Sequence, residues 1–97
     1  MYSDRIRINV IKGKVHFSVV SNETKVDTFL LSIEDARVVL TNNTEEWVKS
    51  GNISQKFSGN TYKITIYVSE THFVHLQVRS QDYNPAVAEF LSQIGGL

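Results

Sequence analysis

Apolar and polar residues alternate through the first part of the chain with the two-residue period of a β-strand that buries one face. The alternation runs over residues 5–10 and resumes over 14–19, and Lys12-Gly13 between them has the composition of a tight hairpin turn. Residues 21–24 supply another turn before the apolar, β-branched stretch 26–31. The pattern therefore predicts three antiparallel strands.

A helix is predicted to follow the third strand directly. Ser32 and Asp35 have the spacing of a capping box with a shorter acid, and apolar residues then recur at helical spacing up to Leu40. The polar run 42–44 interrupts this pattern before Trp47. Two interpretations stay open: one kinked helix, or two short helices that end near Gly51.

The second half repeats this order of strands and helix. Three strands are predicted, over residues 53–57, 63–68 and 73–79. Asn84 and Pro85 suit a helix cap and a first helical position, and Gly95-Gly96 suits a helix end. The repeated order suggests an internal duplication with half-repeats 1–50 and 51–97. Small α+β domains often alternate in this way without duplication, so both interpretations remain.

These elements predict a single α+β domain of 97 residues, a curved antiparallel β-sheet backed by two helices. The chain has no cysteine, no apolar run near the roughly 18 residues of a membrane span, and a polar start unlike a signal peptide. We therefore expect an intracellular protein, cytoplasmic or nucleoid-associated. Ten basic and ten acidic residues cancel, which excludes the strongly basic composition of the simplest nucleic-acid-binding proteins.

Charge is nevertheless distributed unevenly along the predicted elements. The strand-rich segments 1–31 and 52–79 each carry two more bases than acids, and the helical segments 32–50 and 80–97 each carry two more acids than bases. If the helices cover one face of the sheet, the other face stays open to solvent and is basic. Cations and flat rings share the outward strand positions: Arg5, Arg7, Lys14, His16, Lys63, Tyr67, Phe73, His75 and Arg79.

This combination of side chains suits single-stranded nucleic acid. Cations follow the phosphates, and unpaired bases stack on rings with roughly 1–3 kcal/mol each. Exposed strands also carry Lys, Arg, Thr and Tyr because those residues suit a solvated sheet. The alternative is therefore a protein-interaction or scaffold module whose basic face is only solvated.

Two motifs of the first forty residues carry a family resemblance. They are the Lys-Gly-Lys-Val turn at 12–15 between two alternating strands, and the passage from strand to helix at 31–32. With them, residues 5–19 and 30–40 resemble the single-stranded-DNA-binding domain of positive cofactor four, a transcriptional coactivator, and of the related Whirly proteins. In that family two strand-rich units pack about a twofold axis, and single strands cross the exposed sheet. The resemblance implies that Lys12 and Lys14 contact phosphate.

The chain differs from that family at two residue positions and in the number of strands of its first unit. It has Ile11 and Val20 where the family tends to place aromatic residues, and three predicted strands in its first unit where the family has four. Stacking would therefore depend on Tyr67, Phe73 or the histidines. A neighbouring chain or the second half would supply the missing strand.

Metal-binding and catalytic patterns are weak. His72 and His75 lie an odd number of strand positions apart and face opposite sides, and Glu34-Asp35 fits the acidic start of a helix. A lone Trp in a small domain usually belongs to the core, so we predict that Trp47 is buried rather than a partner anchor. We predict no enzyme, no metal and no cofactor. We also expect a homo-oligomer, dimer or higher, that covers edge strands or a helix surface.

Overall fold

The computed structural model describes residues 4–21 and 25–95. It contains seven strands and two helices in this part of the chain: β1 (Arg5–Ile11), β2 (Lys14–Ser21), β3 (Lys25–Ser32), α1 (Ile33–Leu40), β4 (Val48–Ser50), β5 (Ile53–Ser58), β6 (Thr61–Tyr67), β7 (Phe73–Arg79) and α2 (Ser80–Ile94). The predicted α+β class is confirmed. The turn predicted at 21–24 lies at residues 22–24 outside the described part, as does Gly96.

The strands form two antiparallel sheets, where one had been expected. The first has the order β1-β2-β3 and the second the order β4-β5-β6-β7. Asp4 joins them: its backbone N–H donates to the Gln77 carbonyl oxygen at 2.9 Å, and its carboxylate Oδ2 accepts from the Gln77 N–H at 3.0 Å. Because a side chain takes the place of the second backbone carbonyl, the ladder does not continue across this junction.

Both helices bridge the two sheets. α1 packs against β4 and β5 as well as β2 and β3, and α2 packs along β1 and reaches β6 and β7. The Gln93 side chain of α2 also bonds the outer edge of β1, accepting from the Val10 N–H at 2.7 Å and donating to the Ile8 carbonyl at 3.1 Å. The inward residues of all layers form one apolar core, which includes Phe17, Ile64 and Phe90.

The start of α1 agrees with the prediction, but its end does not. Ser32 Oγ accepts from the Asp35 N–H at 3.0 Å, which is the predicted N-cap. Buried Gln55 donates its amide to the carbonyls of Val39 and Asn42, at 3.1 and 2.7 Å. The first bond satisfies a carbonyl of the last turn, and the second holds the chain just past Leu40, where the helix ends. The helical interpretation of residues 45–48 is therefore wrong.

A tyrosine of α2 completes this buried network. The Tyr83 hydroxyl contacts the Leu40 carbonyl and donates to Gln55 Oε1 at 2.8 Å. Its ring stacks on Tyr62 with centroids 3.7 Å apart. Burial raises the pKa of Tyr83 well above its usual range. The C-terminus of α1, β5 and α2 are thus held together by polar groups in an apolar core.

The start of α2 differs from the prediction at Asn84. The helix begins at Ser80, directly after β7, and Pro85 lies inside it. Ser80 donates both its N–H, at 2.8 Å, and its hydroxyl, at 3.0 Å, to the Asn60 carbonyl. This anchor at the β5–β6 turn starts the helix early, and Pro85 removes one helical hydrogen bond. β4 lies within the predicted half-repeat 1–50 but pairs with β5 of the second sheet, and duplication stays a prediction.

Candidate nucleic-acid interface

The face of each sheet that points away from the core is called its open face here. In β6 and β7 the pairs Lys63–Gln77, Thr65–His75 and Tyr67–Phe73 stand opposite each other. Directly opposed residues of an antiparallel pair lie on the same face. The intervening Ile64, Ile66 and Leu76 are buried, so these pairs lie on the open face of the second sheet. Arg79, opposite Thr61, follows the same alternation.

Aromatic rings form a cleft on this open face. Tyr67 and Phe73 meet edge to face, with centroids 5.4 Å apart and planes at 85°. Trp47, 51% exposed, lies across from them, and Phe73 is 45% exposed. The space between has a volume of about 320 Å³ and is named the ring cleft; its lining is Trp47, Ser54, Thr65, Tyr67, Phe73 and His75. The ring cleft is open and apolar at its sides, with hydroxyl groups in its lining.

The predicted burial of Trp47 is wrong. This residue lies between α1 and β4, in the stretch that follows the early end of α1. The Thr44 carbonyl accepts the Phe57 N–H at 2.8 Å and fixes this stretch beside β5. Trp47 consequently contributes a ring to two adjacent clefts, the second of about 190 Å³ with Lys63 and Gln77 in its lining. Sequence reasoning missed it because a lone Trp gives no periodic signal.

Two lysines that were not predicted as site residues lie over these rings. Lys49 Nζ is 4.4 Å from the centroid of Tyr67, and Lys56 Nζ is 5.4 Å from that of Trp47. Lys56 also stands directly opposite Lys63. Like charges in directly opposed positions destabilise a sheet. An anion bound between Lys56 and Lys63 would relieve that repulsion. The alternation Ser54-Lys56-Ser58 was the signal that could have identified Lys56.

Hydrogen bonds orient two of the rings in the ring cleft. The Tyr67 hydroxyl lies 3.3 Å from Ser54 Oγ, and His75 Nδ1 lies 3.1 Å from Thr65 Oγ1. Both hydroxyl partners belong to neighbouring strands of the same open face. The two rings are therefore held in place, with the Tyr67 hydroxyl and His75 Nδ1 each bonded within the open face.

The open face of the first sheet carries the remaining predicted residues. Arg5 and Arg7 are exposed on β1, and Lys14 and half-buried His16 follow on β2. His16 stands opposite Asn9, and Lys14 opposite Ile11. Apart from His16, no ring occupies the described open face here, because Phe17 and Phe29 point inward. The first sheet therefore offers cations and the second offers both cations and rings.

The Lys12-Gly13 turn has the predicted hairpin geometry. Both residues have positive φ, 51° for Lys12 and 76° for Gly13. Two consecutive positive φ values are typical of the turn type that suits the twist of a hairpin. A lysine rarely adopts this conformation. The turn places Lys12 and Lys14, both exposed, at one end of the first sheet, and their contact with phosphate stays a prediction.

The junction at Asp4 relates the two open faces. It brings Arg5, the first residue of β1, close to Gln77 in β7. Gln77 in turn stands opposite Lys63 of β6. Ile6 and Leu76 belong to the same core, so the open faces on both sides of the junction point away from it. The helices carry the acidic residues Glu34, Asp35, Asp82 and Glu89, of which Asp82 and Glu89 line a cleft with Arg7. Hydrogen bonds from Ser50 and Ser32 lower the pKa of Asp35, which keeps its carboxylate charged.

Among the residues described, no three His, Cys, Asp or Glu side chains come together as metal ligands. None of the described helices combines the length and the apolar character needed to cross a membrane.

The chain matches no protein-family model, no curated protein and no solved structure. The resemblance to positive cofactor four and the Whirly proteins therefore stays a prediction.

Proposed function

We propose that this protein binds single-stranded DNA or RNA with little sequence preference, across the open faces of its two sheets. The observation that carries the proposal is the ring cleft of Trp47, Tyr67 and Phe73 with cations around it. Lys49 lies over the Tyr67 ring, Lys56 lies over the Trp47 ring, and Lys63 lines the adjacent cleft with Trp47. Rings that stack bases, next to cations that pair with phosphates, are the two components of single-strand binding. A process such as transcription or replication, inside the cell, would supply this ligand.

Stacking of a base on these rings contributes more binding free energy than the cation–π contacts of the lysines that lie on them. A cation over an exposed ring contributes about 0.5–1 kcal/mol. A stacked base contributes about 1–3 kcal/mol. A base that stacks on Tyr67 would therefore displace Lys49, and the released ammonium would be close to the adjoining phosphate. The base on Tyr67 and the phosphate beside Lys49 would then be bound together by one strand.

The first sheet would extend the binding track. Arg5 and Arg7 on β1, with Lys12 and Lys14 at the hairpin turn, would contact phosphates, and His16 would lie among them. With few rings, this part would contribute affinity that depends on salt rather than on stacking. Paired bases cannot stack on the ring cleft, so a duplex should bind more weakly than a single strand.

Fluorescence anisotropy of labelled oligo-dT tests the proposal. We expect saturable binding at low salt, weaker binding to a duplex of equal length, and a salt dependence with a log-log slope of about 0.7 per phosphate contacted. Phe73→Ala should weaken binding about tenfold, the equivalent of a stacking contribution. Val68→Ala, which truncates an exposed side chain outside the ring cleft, is the matched control.

The absence of binding in this titration would contradict the proposal. If oligo-dT and oligo-U both leave the anisotropy unchanged up to high micromolar protein, the proposal is wrong. The protein would then be an interaction or scaffold module with a solvated basic face. Competition between unlabelled DNA and RNA strands of equal sequence distinguishes the two nucleic acids.

A further inference from the structure

The four sheet edges differ in how they are covered. Gln93 bonds the outer edge of β1, and Asp4 joins β1 to the outer edge of β7. β4 is only three residues long. β3 has eight residues, and over 26–30 its outer edge receives no hydrogen bond from the described part of the chain. A long edge with free backbone donors and acceptors pairs readily with another strand.

The side chains of β3 also distinguish its edge from the other three sheet edges. Val26 and Leu30 are each 57% exposed, more than any other large apolar residue described. Both lie on the open face, on either side of Thr28, whose hydroxyl is 3.0 Å from that of Ser18. Exposed apolar side chains beside an unpaired edge are typical of a surface that another strand covers.

We propose that β3 pairs with β3 of a second copy of this chain, antiparallel, about a twofold axis at Thr28. In this register Val26 stands opposite Leu30 of the partner subunit, and Leu30 stands opposite the partner's Val26. Thr28 faces the partner's Thr28. Each exposed apolar side chain then gains an apolar neighbour on its own face, and cross-strand apolar and Thr–Thr pairs stabilise a sheet.

The neighbouring symmetric registers are less favourable. An axis at Asp27 would place the two Asp27 carboxylates directly opposite each other, which is repulsive. An axis at Phe29 would move Val26 opposite Ser32 of the partner subunit, so its apolar surface would lose the apolar partner. The strand is thus self-complementary in one register. This argument needs no nucleic acid and stands apart from the proposed function.

The dimer would join two three-stranded sheets into one of six strands. Its open face would carry the Arg5, Arg7 and Lys14 set twice, so one extended ligand could contact both copies and gain from their linkage. In this register residues 25–31 of β3 pair, and seven residues a side is small beside the usual 20–30 or so. We therefore expect association in the micromolar range that depends on protein concentration.

Cysteine cross-linking tests the register, because the chain has no cysteine of its own. Opposed residues of an antiparallel pair have Cα atoms about 4.5–5.5 Å apart, within the span of a disulfide. Thr28→Cys alone should form a covalent dimer on mild oxidation. Val26→Cys and Leu30→Cys should each stay monomeric alone and cross-link when the two variants are mixed. Glu70→Cys, in an exposed loop, gives the rate of random collision.

Sedimentation of the unmodified chain gives an independent test. A mass that rises from 11.0 kDa towards twice that value with concentration supports the dimer. Leu30→Lys should abolish the rise while leaving the circular dichroism spectrum unchanged, and a Val26→Glu, Leu30→Lys double variant should restore it through Glu–Lys pairs. A constant monomer mass, or cross-linking of Thr28→Cys no faster than of Glu70→Cys, would overturn the proposal.

Discussion

Lys49 holds its side-chain nitrogen 4.4 Å from the centroid of the Tyr67 ring, on the open face of the second sheet. The lysine belongs to β4 and the tyrosine to β6, so the contact spans the sheet across β5. It places a cation on the surface where a base would stack. The Lys49 charge and the Tyr67 ring therefore lie at one place on the surface. Substitution of one residue removes its contribution and leaves the other.

Replacing Lys49 should change the salt dependence of binding more than the stacking. Lys49→Met keeps an unbranched side chain and removes the charge. We expect the log-log salt slope for oligo-dT to fall by about 0.7, the contribution of one phosphate on a single strand. Arg37→Met removes an exposed cation from α1 and is the matched control. Equal slopes for the two variants would contradict a phosphate-binding role for Lys49.

The hairpin turn makes a similar prediction for the first sheet. Lys12→Ala combined with Lys14→Ala should lower the salt slope and leave the thermal midpoint nearly unchanged, because both residues are exposed. The slope comes from anisotropy and the midpoint from circular dichroism. A large fall in the midpoint would show that these lysines serve the fold instead of a ligand.

Gly51 has a structural role that Gly59 does not share. Both have positive φ, 61° and 66°. A Cβ at Gly51 would overlap the Asp35 carboxylate, which accepts the Ser50 hydroxyl at 2.7 Å, whereas nothing lies near a Cβ at Gly59. Gly59→Ala should cost about 1–2 kcal/mol from backbone strain alone.

Gly51→Ala should lower the free energy of unfolding by more than Gly59→Ala does, as measured by urea denaturation. In an Asp35→Ala background the difference between the two alanine variants should shrink, because the overlapping carboxylate is gone. A difference that persists undiminished in that background would contradict the overlap.

Tyr83 makes the fold sensitive to high pH. Burial raises its pKa above the usual value of about 10, so the folded state keeps the proton that the unfolded chain would release. The associated stability is fully present below about pH 10 and is lost as pH rises, by about 1.4 kcal/mol per pH unit for one group. Urea midpoints between pH 8 and 11 measure this loss.

Tyr83→Phe should show a shallower fall over the same pH range. At neutral pH it should cost about 1–3 kcal/mol, because Gln55 Oε1 would lose its donor in a buried site. Tyr62 has a smaller rise in pKa from burial and remains in the variant, so some pH dependence should persist. An unchanged slope would contradict the buried, protonated state of Tyr83.

Local signals predicted the hairpin at Lys12-Gly13, the Ser32 cap and the alternation of the open face, because turns, caps and strand periods depend on nearby residues. The end of α1 was missed because Gln55 and Tyr83, far along the chain, bond the carbonyls of Val39 and Leu40 in its last turn. Because α1 ends at Leu40, Trp47 lies in an exposed connection and Lys49 lies in β4. The ring cleft is thus a product of tertiary contacts, which explains why only Tyr67, Phe73 and His75 of its lining were predicted.

Trp47 provides the most direct measurement of the central claim, because it is the single tryptophan of the chain and lines the ring cleft. Its fluorescence should be quenched saturably by unlabelled oligo-dT, with the same midpoint as the anisotropy titration. Tyr67→Ala combined with Phe73→Ala should weaken both signals together. Oligo-dT that binds by anisotropy while the Trp47 fluorescence stays unchanged would contradict the account, because the strand would then lie elsewhere.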